Sequence, residues 1–191
     1  MTVTTPKVPA RPGETTPLEP GARLPHVELL TVENQAFDLG AAAAEAPQIL
    51  VFFRGTWCPQ GEAQMLELRD VQARIESLGY QLVGICPDRP HVIAEWTARH
   101  RIGFPVLSDP DMSAALAFGI AWKLDTQGVA EYSKMGLDVE AISGREHLLP
   151  IPGIFFVHTD GKVGFVFAHP DHTMRMPAEV LLAIARATTE V

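Results

Sequence analysis

Five apolar residues in succession, Ile49-Leu50-Val51-Phe52-Phe53, constrain this chain more than any other feature. The run has no polar alternation, so both of its faces must be covered, which is the signature of a central strand in a sheet with helices on either side. It ends at Arg54-Gly55-Thr56-Trp57-Cys58-Pro59. After Pro59, Met65, Leu68, Val71, Ile75 and Leu78 recur three or four apart, which is helical spacing. Pro59 suits a first helical turn, where its missing N–H costs nothing, and Gly79 stands where a helix-ending glycine belongs. A second strand is expected over Tyr80–Cys86, with Leu82-Val83-Gly84-Ile85 as its centre. Strand, helix and strand in this order give parallel neighbours joined by a right-handed crossover.

The rest of the chain fits around that unit. His26–Thr31 and Gln35–Leu39, parted by Val32-Glu33-Asn34, read as a small hairpin. Pro90–His100 reads as a helix, Phe104–Leu107 as a short strand and Met112–Phe118 as a short helix. Residues 119–150 show no clear period and are expected to form a loop with one short helix. Ile154–His158 and Val163–Ala168 flank an Asp160-Gly161 turn and read as a second hairpin. Pro177–Thr188 closes the chain as a helix. The expected class is α/β: a thioredoxin-like fold with an N-terminal hairpin extension and a central mixed sheet flanked by helices. Residues 21–191 are expected to form one domain. Residues 1–20 hold Pro6, Pro9, Pro12, Pro17 and Pro20 and are expected to be a poorly ordered arm.

Composition narrows the functional classes. The net charge of −8 and the scattering of the 15 basic residues argue against nucleic acid and against anionic membrane surfaces. No apolar run approaches the roughly 20 residues of a membrane span, and the first twenty residues lack the apolar middle of a secretory leader. A cytoplasmic protein is expected. Two cysteines, Cys58 and Cys86, are too few for a structural zinc site without histidine, so each is either a small buried hydrophobe or a reactive thiol.

Cys58 sits where a buried strand hands over to a helix. Free amide donors and the positive dipole end lie there, Arg54 is four residues upstream, and the strand end leaves the thiol at the sheet's edge. Cysteines in such places are commonly nucleophilic thiolates. The alternative is a plain helix cap. Trp57 is expected to wall the site. Cys86 ends the neighbouring strand and either approaches Cys58 as a resolving thiol or fills a buried corner; a bridge would need Cα atoms within about 7 Å. His169 and His172 fall in an expected loop, and Glu62 lies one helical turn after Cys58.

Phe52-Phe53-Arg54-Gly55-Thr56-Trp57-Cys58-Pro59 resembles the active-site segment of the alkyl hydroperoxide reductase/thiol-specific antioxidant family, in particular its peroxiredoxin-like members with a Trp-Cys-Pro-x-Cys site. Pro20–Leu30, Gln81–Pro87, Phe104–Pro110, Leu149–Val157 and Asp160–Val166 agree with that family in order. The resemblance implies a thiol-dependent antioxidant oxidoreductase that reduces a peroxide or a disulfide, with Cys58, Arg54 and Thr56 catalytic and Trp57, Pro59 and Pro152 lining the substrate. It implies no metal or organic cofactor, an external thiol or a thioredoxin- or glutathione-type reductant as partner, and a homodimer as an assembly its relatives often adopt. Pro152 is similar to the cis-proline that faces the active cysteine in such folds, and a cis Ile151–Pro152 bond is expected. The departures are specific. Gly61 replaces the second cysteine of the dithiol version. Val51 and Gly55 replace the Pro and Thr of ordinary peroxiredoxins, with Thr56 one place off. No Arg precedes the late strand near Gly153. These losses leave open a disulfide-exchange protein, or a sensor that kept the fold and lost the enzyme.

Overall fold

Every residue of the apolar run is buried, because it lies in or just after an inner strand of a seven-stranded sheet. The computed structural model describes residues 8–138, 142 and 147–189. Their elements are β1 (Leu29–Leu30), β2 (Ala36–Phe37), α1 (Leu39–Glu45), β3 (Gln48–Phe52), α2 (Pro59–Glu76), β4 (Gln81–Cys86), α3 (Pro90–His100), β5 (Val106–Ser108), α4 (Ser113–Ala117), β6 (Ala121–Lys123), α5 (Thr126–Lys134), β7 (Leu148–Pro150), β8 (Gly153–Val157), β9 (Val163–Ala168) and α6 (Ala178–Thr189). The sheet runs β2-β1-β5-β4-β3-β8-β9. β3, β4 and β5 are mutually parallel, whereas β8 and β9 on one side and β1 and β2 on the other are antiparallel. This is the expected mixed sheet, with the first hairpin at its edge and β3 inside it, between β4 and β8.

Alternation along β3 divides the core in two. Ile49, Val51 and Phe53 pack with Met65, Leu68 and Ile75 of α2, Ile93 and Trp96 of α3, and Leu181, Leu182 and Ala185 of α6. Leu50 and Phe52 point the other way, toward Leu39 and Ala43 of α1 and Ala114, Ala115 and Phe118 near α4. Phe52, Phe118 and Phe155 form a ring cluster on that second face, with centroids 4.8 to 5.7 Å apart. Burying such aromatic rings is worth about 1.5–3 kcal/mol each, so the position of β3, and of the loop that leaves it, is strongly fixed.

The structure adds elements to the sequence reading. α1 was not expected; Asp38 caps it, accepting from the N–H groups of Gly40 and Ala41 at 2.8 and 3.1 Å, and the run Ala41–Ala44 supplies helix propensity. Residues 119–150 contain the expected short helix as α5, and also the antiparallel pair β6–β7. Each of those strands has three residues, too short for a visible period, and each finds its partner far along the chain. Residues 139–141 and 143–146 of that stretch lie outside the described residues. Residues 8–20, expected as an arm, run along the domain rather than away from it. Lys123 N–H donates to Pro9 O, Leu18 N–H to Phe118 O and Gly21 N–H to Val163 O, while Val8 and Leu18 rest on the second core face. Residues 1–7 lie outside the described residues.

One expectation is corrected. No described peptide bond is cis, so Ile151–Pro152 is trans. Only two residues separate β7 from β8, and both are held from outside: Ile151 N–H donates to Ile120 O at 2.9 Å and His169 N–H to Pro152 O at 3.2 Å. Fastened on both sides, the chain passes from one strand to the next without the reversal a cis bond would give.

Candidate active site

Phe53 N–H makes one more sheet-like bond, to Ile85 O at 3.1 Å, and then the chain leaves the sheet. Gly55 turns it with φ of 138°, a conformation open to glycine and strained for other residues. Space demands glycine as well, because a Cβ here would lie 2.4 Å from Trp57 Nε1 and 3.0 Å from Asp88 Oδ1. Cys58 N–H then closes a turn onto Gly55 O at 3.1 Å. Cys58 becomes the N-cap residue of α2, with Pro59 as its first helical residue, as the sequence leads one to expect. The thiol is 1% exposed, and Sγ donates to Gln60 Oε1 at 3.5 Å.

The surroundings of Cys58 are cationic. Arg54 is 4% exposed and makes no hydrogen bond among the described residues. Its guanidinium carbon stands 5.0 Å from the Trp57 ring centroid and 5.3 Å from that of Tyr132, and the two rings meet edge to face at 5.8 Å. Cation–π contact of this kind can hold a buried guanidinium without an acid. Arg175, in the link from β9 to α6, brings a second guanidinium to the same place. Its Nη1 donates to the carbonyls of His172 and Met174. Its Nε and Nη2 are buried with no oxygen or nitrogen acceptor, and the Cys58 side chain lies beside them. Burial pushes both arginines below the usual range, while the Cys58 side chain pulls each of them back up. Repulsion from Arg175 lowers Arg54 a little further. Arginine stays charged under such shifts. His172 stands against the same pair, and burial, then Arg54, lower its pKa.

The other sequence candidates fall in different places. The Thr56 N–H and hydroxyl both donate to Asp88 Oδ2, at 2.6 and 2.7 Å, so this side chain ties the loop to the end of β4. Burial raises the Asp88 carboxyl, opposed by those two bonds. Trp57 is half-buried and walls the site, its Nε1 without an acceptor. Pro59 is exposed at the helix start, and Pro152 is buried beside the exit of β3, because Phe52 pairs with Gly153. Glu62 turns toward α3, accepting from Trp96 Nε1 at 3.1 Å with His100 Nε2 at 3.4 Å. Cys86 is a free thiol, 1% exposed, in the core cluster with Phe53, Ile93 and Trp96. Burial pushes it well above the usual thiol range.

Gly61 leaves the first turn of α2 without a second cysteine. A Cβ at this position would lie 3.2 Å from Phe53 Cδ2 and 3.7 Å from Cys58 Cβ. Phe53 borders that position, its ring tilted by 37° against Trp96 with centroids 6.2 Å apart.

Sequence reasoning missed Arg175, Tyr132 and Asp88. Asp88 carried a readable signal, a lone acid just past the end of a buried strand on the functional edge of the sheet. Arg175 and Tyr132 carried none, since only the fold brings Arg175 to Cys58 and Tyr132 to Arg54 and Trp57.

The sequence model described as the AhpC/TSA family matches residues 20–166. Among curated proteins, the chain is 29% identical over 104 residues to a putative peroxiredoxin (bcp) of Haemophilus influenzae, covering 54% of this chain and 66% of that one. It is 27% identical over 150 residues to a putative peroxiredoxin of Mycobacterium tuberculosis, covering 78% and 85%. Among solved structures, the peroxidoxin BcpB of Mycobacterium tuberculosis superposes with a TM-score of 0.69 at 22% identity, over 89% of this chain and 97% of that one. Reduced Prx3 of Vibrio vulnificus in complex with hydrogen peroxide superposes with a TM-score of 0.71 at 17% identity, over 88% and 99%.

Proposed function

Because the chain belongs to the AhpC/TSA family, we propose that it is a thiol peroxidase in which Cys58 is the nucleophile. The observation that carries this is the seat of Cys58, at the N-terminus of α2 beside the buried Arg54 and the half-buried Arg175. The thiolate attacks the distal oxygen of a peroxide. The O–O bond breaks, the alcohol or water leaves with a proton, and the sulfur is oxidised to a sulfenic acid. Arg54 and Arg175 offer donors to the charge that passes from sulfur to the leaving oxygen, as pre-aimed donors do at other developing anions. Thr56 acts as a positioning residue through Asp88. Trp57 and Tyr132 form the apolar wall, and Pro152 closes the floor beside β3. Arg175 supplies a guanidinium where none precedes β8.

Resolution by an external thiol is the reading best supported. Position 61 is glycine, so no thiol stands one turn after Cys58, and the Cys86 thiol is buried in the core. Peroxides as oxidants and thiols as reductants are the partners of the family. We read residues 21–191 as the domain that does this, and the cytoplasm as its place. No described helix is long and apolar enough to cross a membrane.

The test is a stoichiometric peroxide pulse on reduced protein, followed by intact mass with a sulfenic-acid trap. Trap should label Cys58, Cys58→Ser should not label, and Arg175→Gln should label about 10²-fold more slowly. A wild-type Cys58 left unmodified would sink the reading and favour the sensor.

A further inference from the structure

The charge around Cys58 does not balance once the sulfur is oxidised. In the reduced form two guanidiniums, Arg54 and Arg175, face the one Cys58 sulfur, which reacts as a thiolate in the function proposed above. Sulfenic acid formation discharges that thiolate. Among the described residues, Asp88 accepts from Thr56, and Asp171, exposed, accepts from the N–H and hydroxyl of Thr173. His172, against the same pair, can add only positive charge. The buried donors are then unmatched. Arg54 makes no hydrogen bond among the described residues, and Arg175 Nε, Arg175 Nη2 and Trp57 Nε1 are buried without an oxygen or nitrogen acceptor. A buried donor set without an acceptor is costly by itself and is complemented by an oxyanion, best by a carboxylate matched to the guanidinium fork.

We propose that the oxidised site selects a carboxylate-bearing low-molecular-weight thiol, whose carboxylate docks on the Arg54–Arg175 pair while its sulfur attacks Cys58. The inference rests on Cys58 being the peroxide-reactive thiol. It adds which external reductant the site accepts. The incoming thiolate forms an S–S bond with the Cys58 sulfur. The S–O bond breaks and hydroxide leaves, taking a proton to become water. A second molecule of the same thiol attacks the mixed disulfide, frees the Cys58 thiolate and departs as its own disulfide. Two thiols are oxidised for each peroxide reduced. The Trp57–Tyr132 wall, 5.8 Å between ring centroids, offers an apolar surface to the carbon chain between carboxylate and sulfur. Selection is strongest in the oxidised state, because there the anion has no thiolate to compete with.

Three probe thiols separate charge from reactivity: 3-mercaptopropionate, 2-mercaptoethanol and cysteamine, which are anionic, neutral and cationic away from the sulfur. Wild-type protein carrying Cys58 sulfenic acid is mixed with each, and mixed-disulfide formation is followed by quenched intact mass, with rates normalised to thiolate concentration. The expected order is 3-mercaptopropionate over 2-mercaptoethanol by about tenfold or more, and cysteamine slowest. Raising salt toward 1 M should narrow the spread. Arg175→Gln should cut the preference several-fold while 2-mercaptoethanol still reacts, and Arg175→Lys should keep part of it. Propionate should slow 3-mercaptopropionate more than 2-mercaptoethanol in the wild type. Equal normalised rates for the three thiols, or a preference unmoved by salt and by Arg175→Gln, would overturn the proposal. Failure to form any sulfenic acid would instead overturn the reading beneath it, so the two failures are distinguishable.

Discussion

Gly55 and Gly61 bracket Cys58, and each is fixed by a different constraint. At Gly55 the constraint is conformational and steric together, with φ of 138° and an indole nitrogen 2.4 Å from where a Cβ would sit. Gly55→Ala should therefore destabilise the fold by about 2 kcal/mol or more, seen as a lower thermal midpoint, and should displace Trp57. An unchanged midpoint would show that the loop relaxes freely. At Gly61 the constraint is only the edge of Phe53, 3.2 Å away, whereas Cys58 Cβ at 3.7 Å lies within the roughly 3.5–4.5 Å that disulfides span. Gly61→Cys should thus create a dithiol site: after a peroxide pulse the protein should lose two hydrogens in intact mass, and it should cease to accumulate mixed disulfides with added thiol. Persistent mixed disulfides at Cys58 would mean that Phe53 does not yield. The residues legible in the sequence are those whose signal is local. Cys58 is visible because strand, turn, proline and helix follow one another within a few positions. Arg175 lies 117 positions later (175 − 58), on a link with no period, and only the closure of β8, β9 and α6 brings it to the sulfur.

Among the elements, α4 shows how a buried charge replaces a missing cap. Its N-cap residue, Met112, is in the left-handed region and offers no side-chain acceptor. Asp109 does that work from three residues earlier, Oδ1 accepting from Ala114 N–H at 3.0 Å and Ser113 Oγ at 3.2 Å, Oδ2 from Ala115 N–H at 2.9 Å. Asp109→Ala strands those buried donors, and a loss of about 2 kcal/mol is expected in urea unfolding; a loss below about 0.5 kcal/mol would show that water takes over the bonds. Elements with a long stripe or a continuous apolar run, such as β3, α2, β4 and α3, are legible in the sequence because their own residues carry the period. β6 and β7 are not, because a three-residue strand is defined by its partner: Trp122 pairs with Leu149 and neither flank has a period of its own. α1 escapes notice for a different reason, since its Ala run carries propensity but little amphipathic contrast. The trans bond before Pro152 likewise depends on what grips the chain on each side.

For the whole molecule, acidity acts on stability through groups of opposite sign. Burial raises the carboxyl pKa of Asp88 and of Asp109 above the ordinary 3.8. Between 3.8 and those raised values the folded chain holds more protons than the unfolded one, so their contribution to stability grows as pH falls through that window. His172 works the other way: its pKa is lowered from 6.5, so below 6.5 the unfolded chain takes the proton first and stability falls. Comparing wild type with Asp109→Asn cancels His172. The thermal midpoint of the wild type should gain on that of the variant as pH falls from neutral toward the ordinary 3.8; a gap that narrows or reverses toward acid would contradict the burial of this carboxyl. The molecule also assembles its site from both halves of the chain. Cys58 arrives on α2, and Arg175 only on the link into the last helix. During synthesis at roughly 5–20 residues per second, the thiol therefore exists for something like ten seconds before its second guanidinium has been made. Until the final helix docks, Cys58 on a growing chain has Arg54 alone of the two guanidiniums beside it.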